Sequence, residues 1–149
     1  MKRTTVFLSI LATLTLLILS SCSGPDIGQS LTMFMKVSKT TSIDFGDKIL
    51  IDYSITSTLE QPLTKEDYTL QISQARIGET SRTIITDVSK TIPVRGDNTG
   101  TFTWNIDGIP GNGGEFNLYL TFYKKSGDGV IVVKETSQKI NFIEPKVTK

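Results

Sequence analysis

The side chain best suited to covalent chemistry is Cys22, the chain's one cysteine, at the end of Leu19-Ser20-Ser21-Cys22. A thiol ionises near pH 8.5 and is then a soft nucleophile, which a serine hydroxyl is not. It has no counterpart to work with. With no second cysteine, a disulfide within the chain is excluded. The chain also has no histidine, so it lacks the commonest general base, the commonest transition-metal ligand and any Ser-His or Cys-His pair. Cys22 therefore reads as a residue that another enzyme modifies. Carboxylate pairs such as Glu60/Glu66 or Glu115/Asp128 could be imagined as acid and base, but two carboxylates make a glycosidase only at a set separation across a cleft. Nothing in the spacing fixes that, and the expectation is that the chain is not an enzyme.

Other side chains could bind rather than react. Tyr119 and Tyr123, four residues apart in an extended run, fall on one strand face and are candidate ligand-binding residues if that face is solvated. The bland reading is ordinary cross-strand packing. Trp104 sits with Phe102 and Ile106 on one face and reads as a core plug, with sugar stacking as the alternative. Arg95-Gly96-Asp97 is an integrin-type tripeptide in an expected loop, and it is equally simple turn chemistry. Asp97, Asn98, Asp107 and Asp128 offer oxygen ligands in expected loops, but without EF-hand spacing. No metal and no cofactor is expected.

The elements that position these groups begin with a leader. Lys2 and Arg3 precede an uncharged run, Val6–Leu19, and no acidic residue occurs before Asp26. This is the three-part pattern of an export signal. At 14 residues the apolar run falls short of the roughly 20 that a membrane-spanning helix needs. Leu19-Ser20-Ser21-Cys22 resembles the lipobox of bacterial lipoprotein signal peptides. That resemblance implies a diacylglyceryl group on the Cys22 sulfur, cleavage just before it, and often acylation of the new amino group. One acyl chain binds a membrane marginally, whereas two or three anchor stably. An ordinary cleaved signal or an uncleaved anchor are the alternatives. Residues 1–21 are then the signal peptide, 22–30 the lipidated cysteine with a flexible tether, and 31–149 the domain. Ser23 follows the cysteine, and the resemblance then implies an outer membrane if the cell has one.

Cleavage leaves Cys22–Lys149, 128 residues, enough for one domain with a real core. Without Lys2 and Arg3 the balance is 14 basic to 15 acidic groups, about −1. There is no basic excess for phosphate, so nucleic acid is not an expected partner.

Beyond the tether the dominant period is two. Ile49, Ile51, Tyr53 and Ile55 alternate with polar or outward residues, as do Tyr68, Leu70 and Ile72; Phe102, Trp104 and Ile106; and Phe116, Leu118, Leu120 and Phe122. Leu31–Val37, Arg82–Val88, Val130–Lys134 and Thr136–Ile143 are further strand candidates rich in β-branched residues. Gly46-Asp47, Gln61-Pro62, the Gly96–Gly100 run, the Pro110–Gly114 run and Gly127-Asp128-Gly129 supply the turns. The expectation is an all-β protein, an antiparallel immunoglobulin-like β-sandwich of seven to eight strands after a cleaved N-terminal signal helix.

Several segments carry a second resemblance: Gly46-Asp47, Ile51-Asp52-Tyr53-Ser54, Gly100–Ile106, Gly114–Leu120 and Ile140-Asn141-Phe142. Together, over roughly Phe45 to Phe142, they are similar to the Ig-like domain of yeast cell-wall proteins of the Ser/Thr-rich GPI-anchored type. Tyr53 departs from the pattern, where a tryptophan is expected. The resemblance implies a surface-located accessory or adhesive module and transfers no catalytic residue. The function expected is a lipid-anchored cell-envelope module that binds a protein or glycan partner. A structural subunit of an envelope or pilus assembly is the alternative, and a small carboxylate-dependent enzyme the remote one.

Overall fold

The computed structural model describes residues 27–64, 66–88 and 96–144. The leader, Cys22, residues 23–26 of the tether and Arg95 lie outside the described residues. Period-two alternation becomes seven strands: β1 (Leu31–Val37), β2 (Lys48–Ser57), β3 (Tyr68–Arg76), β4 (Thr83–Asp87), β5 (Gly96–Asn105), β6 (Gly114–Ser126) and β7 (Gly129–Phe142). All ladders between these strands are antiparallel. They form a three-stranded sheet, β1-β2-β5, facing a four-stranded sheet, β4-β3-β6-β7. The fold is the expected all-β sandwich, with seven strands. Its fourth strand pairs with the third, rather than joining the first sheet as in immunoglobulin constant domains.

The apolar residues of each alternation turn inward. Ile49, Ile51 and Ile55 of β2 meet Leu70 and Ile72 of β3 and Leu118, Leu120 and Phe122 of β6, all nearly inaccessible to water. At ~25 cal/mol per Å² removed from water, each such side chain contributes about 1.5–3 kcal/mol. Tyr68 stacks on Phe122 with centroids 5.3 Å apart, and Phe142 takes Phe116 and Trp104 edge-on at 5.2 and 5.9 Å.

The two sides of the sandwich differ. On one, the chain beyond β1 crosses to β7: Ile43 donates to Asn141 (3.0 Å), Ile143 donates back to Ile43 (2.9 Å), and Asn141 donates to Thr40 (2.8 Å). On the other, the terminal strands β4 and β5 leave a cavity of about 440 Å³.

Four expectations need correction or refinement. The last two strand candidates are one strand. Phe122 opposes Lys134 while Tyr123 opposes Val132, so Val133 is an extra residue in a β-bulge that the strand absorbs. The Gly96–Gly100 run is the start of β5 and not a turn; it pairs with Tyr53 to Ser57 of β2, Gly100 lying opposite the buried Tyr53. Trp104 is half-buried and not a core plug, because β5 is a terminal strand with a neighbour on one side only. Ile27 to Ser30, counted above with the tether, form a turn packed on the core: Ser30 donates to the Ile27 carbonyl, and Lys134 Nζ donates to the Gly28 carbonyl at 3.1 Å.

Candidate functional site

Tyr119 and Tyr123 do lie together on the outer face of the four-stranded sheet, opposite the core-facing Leu118, Leu120 and Phe122. Both are partly covered. The residue that covers Tyr119 is Arg82, just before β4, which reaches across the sheet so that its guanidinium carbon sits 3.8 Å from the Tyr119 ring centroid. Asn117 Nδ2 donates to the Tyr119 hydroxyl at 3.3 Å. Arg82 ends in a forked contact with Glu135 on β7: Nη1 donates to Oε2, and Nη2 to Oε1 at 3.2 Å. Thr121 Oγ1 donates to the same Oε2 at 2.7 Å. This strap buries Thr121 completely although its side chain points away from the core.

The strap shifts both ends. The hydrogen bond to Glu135 raises Arg82 above its ordinary value. Burial pushes the Glu135 carboxyl up, but hydrogen bonds from Arg82 and Thr121, with the Arg82 charge, outweigh it and hold Glu135 below the usual carboxylate range. A depressed carboxylate stabilises the fold at pH values above its unfolded pKa, and this is lost as pH falls through the folded value. Glu135→Gln should therefore cost about 1 kcal/mol at neutral pH, allowing for solvent screening. Its urea midpoint should converge on that of the parent toward pH 3, and a gap independent of pH would show that the ionised pair contributes nothing.

Four carboxylates have one arrangement in common. Asp52 accepts from Thr101 (2.6 Å), Asp97 from Thr56 (2.6 Å), Asp87 from Gln71 (3.0 Å) and Glu135 from Thr121 (2.7 Å). Each donor is the residue directly opposite on the neighbouring strand. Such pairs stabilise a ladder by roughly 0.2–1 kcal/mol each.

The remaining candidates separate. Gly96-Asp97 lies in β5, not in a loop, with Asp97 held by Thr56. Asn98 is likewise in β5, while Asp107 follows that strand and Asp128 forms the β6–β7 turn. Among the described residues no three His, Cys, Asp or Glu side chains gather as a metal site. Glu115 opens β6 and meets Lys139 at 3.5 Å, whereas Asp128 lies past its far end, about 40 Å away along the strand. Glu60 lines a cavity of about 530 Å³ with Ile27, Leu59 and Leu63, and Glu66 does not line it. The cavity between β4 and β5 is lined by Gln74, Ile84, Ile85, Phe102, Trp104 and Asp107 among others, and the buried Gln74 Oε1 there has no hydrogen-bond partner.

Arg82 and Glu135 were missed by the sequence reading. Opposite charges 53 residues apart carry no local signal. Counting back from the Gly127-Asp128 turn gives the wrong register, because the Val133 bulge shifts everything beyond it by one.

Neither a protein-family model nor a curated protein sequence matches the chain. Solved structures match its shape over 76% of its length. One is the alkylpurine DNA glycosylase AlkC of Pseudomonas fluorescens, bound to DNA containing an abasic-site analogue, at 9% identity and TM-score 0.51. Another is a β-glucosidase of Erythrobacter marinus, at 11% and 0.53. A third is the CARDB domain of a Pyrococcus furiosus protein, at 9% and 0.53. The match spans 30% and 15% of the first two chains and 94% of the CARDB domain. At these identities the likeness is one of fold alone, and it is that of an immunoglobulin-like β-sandwich.

Proposed function

We propose that this chain is a lipid-anchored, non-catalytic immunoglobulin-like module of a bacterial cell envelope, acylated on Cys22 and acting by binding a protein or a glycan. The observation that carries the non-catalytic part is the use made of its acids. Asp52, Asp87, Asp97 and Glu135 each serve the residue opposite as a cross-strand acceptor. A carboxylate committed in this way is a structural link rather than a proton shuttle. The anchor rests on the basic start, the 14-residue apolar run and Leu19-Ser20-Ser21-Cys22. Ser23 in place of an aspartate favours the outer membrane of a cell that has two.

The binding face we assign is the outer four-stranded surface, where Tyr123 stands beside the Arg82–Tyr119–Glu135 strap. An aromatic ring next to paired polar groups suits a sugar, which presents one apolar face and a rim of hydroxyls. A second reading, a subunit of an envelope assembly, is favoured by the cavity between the terminal strands β4 and β5. An extended partner segment could add to either edge there and cover Phe102 and Trp104.

The anchor is tested by feeding radioactive palmitate to producing cells. Label should enter the protein and vanish in Cys22→Ser, and label that persists would overturn it. For the face, Tyr123→Ala should keep its unfolding midpoint and lose retention on purified envelope polysaccharide. Retention equal to the parent would remove that surface.

A further inference from the structure

Exposed large apolar residues are mostly scattered singly over the described surface, as with Phe34, Phe45, Leu50 and Ile77. Val130, Ile131 and Val132 are different. They are consecutive, exposed by 59, 57 and 54%, and they begin the terminal strand β7 beside the β6–β7 turn. Both faces of the strand are apolar there, and among the described residues no strand pairs with its outer edge. A monomeric domain in water gains nothing from such a run, which is also a template for aggregation.

Its place in the fold points to what covers it. Lys134, two residues after Val132, donates to the carbonyl of Gly28, where the chain enters the domain. The apolar run therefore starts about 7 Å along the strand from Lys134, whose side chain reaches the entry point, and extends some 7 Å further toward the turn. Gly28 lies six residues after Cys22, a span of at most about 21 Å. If acyl chains hold Cys22 in a bilayer, the lipid surface lies within reach of the β6–β7 turn and of the β2–β3 loop, whose Leu59 and Leu63 line a cavity with Ile27.

From this we infer that the β6–β7 hairpin is a second membrane contact, with Val130, Ile131 and Val132 resting in the headgroup–acyl boundary and fixing the orientation of the domain. The inference rests on the lipoprotein reading of Cys22. Three aliphatic side chains are too few to recruit a free protein to membranes, but they need not do so. A short tether holds the hairpin at an effective concentration in the millimolar range, so a contact of millimolar strength is already half-populated.

Charge plays a small part. Lys124 and Lys125 precede the turn, while Asp128 within it and Glu66 and Asp67 before β3 offset them at the same end of the sandwich. The contact should therefore form on zwitterionic phosphatidylcholine as readily as on phosphatidylglycerol.

The experiment uses the full acylated protein in phosphatidylcholine vesicles. Cys22 carries the lipid through its sulfur, so Ile131→Cys gives one free thiol for an environment-sensitive fluorophore. Gly108→Cys is the control at the opposite end, where a Cβ meets nothing within 4 Å. The expected result is blue-shifted emission at position 131, quenched by lipids brominated on their acyl chains, with neither effect at 108. Equal, water-like emission at both positions overturns the contact while leaving the anchor intact. A probe at 131 that is already shielded before vesicles are added overturns it in favour of a second copy on the β7 edge. An unmodified Cys22, seen in the intact mass and in a second labelled thiol, removes the anchor and the contact together. Val130→Ser with Val132→Ser should abolish quenching of a probe at 131 without detaching the protein from vesicles, and quenching that persists would also count against the hairpin.

Discussion

Replacing Phe142 with alanine should come close to unfolding the domain, at a cost of about 3–5 kcal/mol. Its ring is 1% exposed, receives Phe116 and Trp104 edge-on, and lies where the two sheets meet. A domain of this size has roughly 5–15 kcal/mol to lose. The measurement is a urea titration followed by the emission of Trp104, the chain's one tryptophan. Trp104 packs on the ring being removed, so the folded-state spectrum should shift to the red even before the midpoint is reached. Phe142→Leu keeps most of the volume and should cost less than half as much. Equal losses for both variants would mean that ring geometry, not cavity formation, sets the energy.

Gly113→Ala should be nearly as severe, at about 3 kcal/mol, for a different reason. Gly113 has φ +72°, and a Cβ there would lie 2.4 Å from the Ile143 carbonyl oxygen and 2.9 Å from its carbon. These are backbone atoms and cannot rotate away. Moving them pulls on the Ile143 amide, which closes the sandwich by donating to Ile43. The Gly113 carbonyl also accepts from Arg76 Nη2 at 2.8 Å. Gly127→Ala separates the two contributions, since Gly127 has φ +57° but open space around it and should lose only the ~1–2 kcal/mol of a left-handed alanine. Urea midpoints for the pair test this directly, and similar losses at both positions would reduce the effect to backbone conformation alone.

The strands were readable in the sequence because burial on one face writes itself as alternation, as at Ile49, Ile51, Tyr53 and Ile55. What was misread had a local signal that tertiary pairing overrode. Gly96-Asp97-Asn98-Thr99-Gly100 has the composition of a turn, yet β2 runs beside it and pairs with each of its residues. Glu135 fell between two strand candidates because the apolar run Val130–Val133 gives way there to the polar run Lys134–Lys139. With the Val133 bulge it points outward to Arg82; without the bulge it would oppose the core residue Leu120. The tyrosine face was legible as a face, since four residues on a strand return to the same side. Its strap was not, because Arg82 and Glu135 meet only through the fold. Nor could the sequence say that β5 would be a terminal strand, and that fact decides how deeply Trp104 is buried.

The joint between Ile43 and Phe142 also governs when the chain can become a protein. It is a parallel bridge between residues near the two ends of the domain. The β6–β7 hairpin beside it, closed by a two-residue turn, can form in microseconds once synthesised. The bridge must instead wait for almost the whole chain and bear the entropy of closing its longest loop. In a chain made N-terminus first, Ile43 lacks its partner until the last strand arrives. The bridge therefore cannot lock the domain into a rigid body before its C-terminal strand has been made.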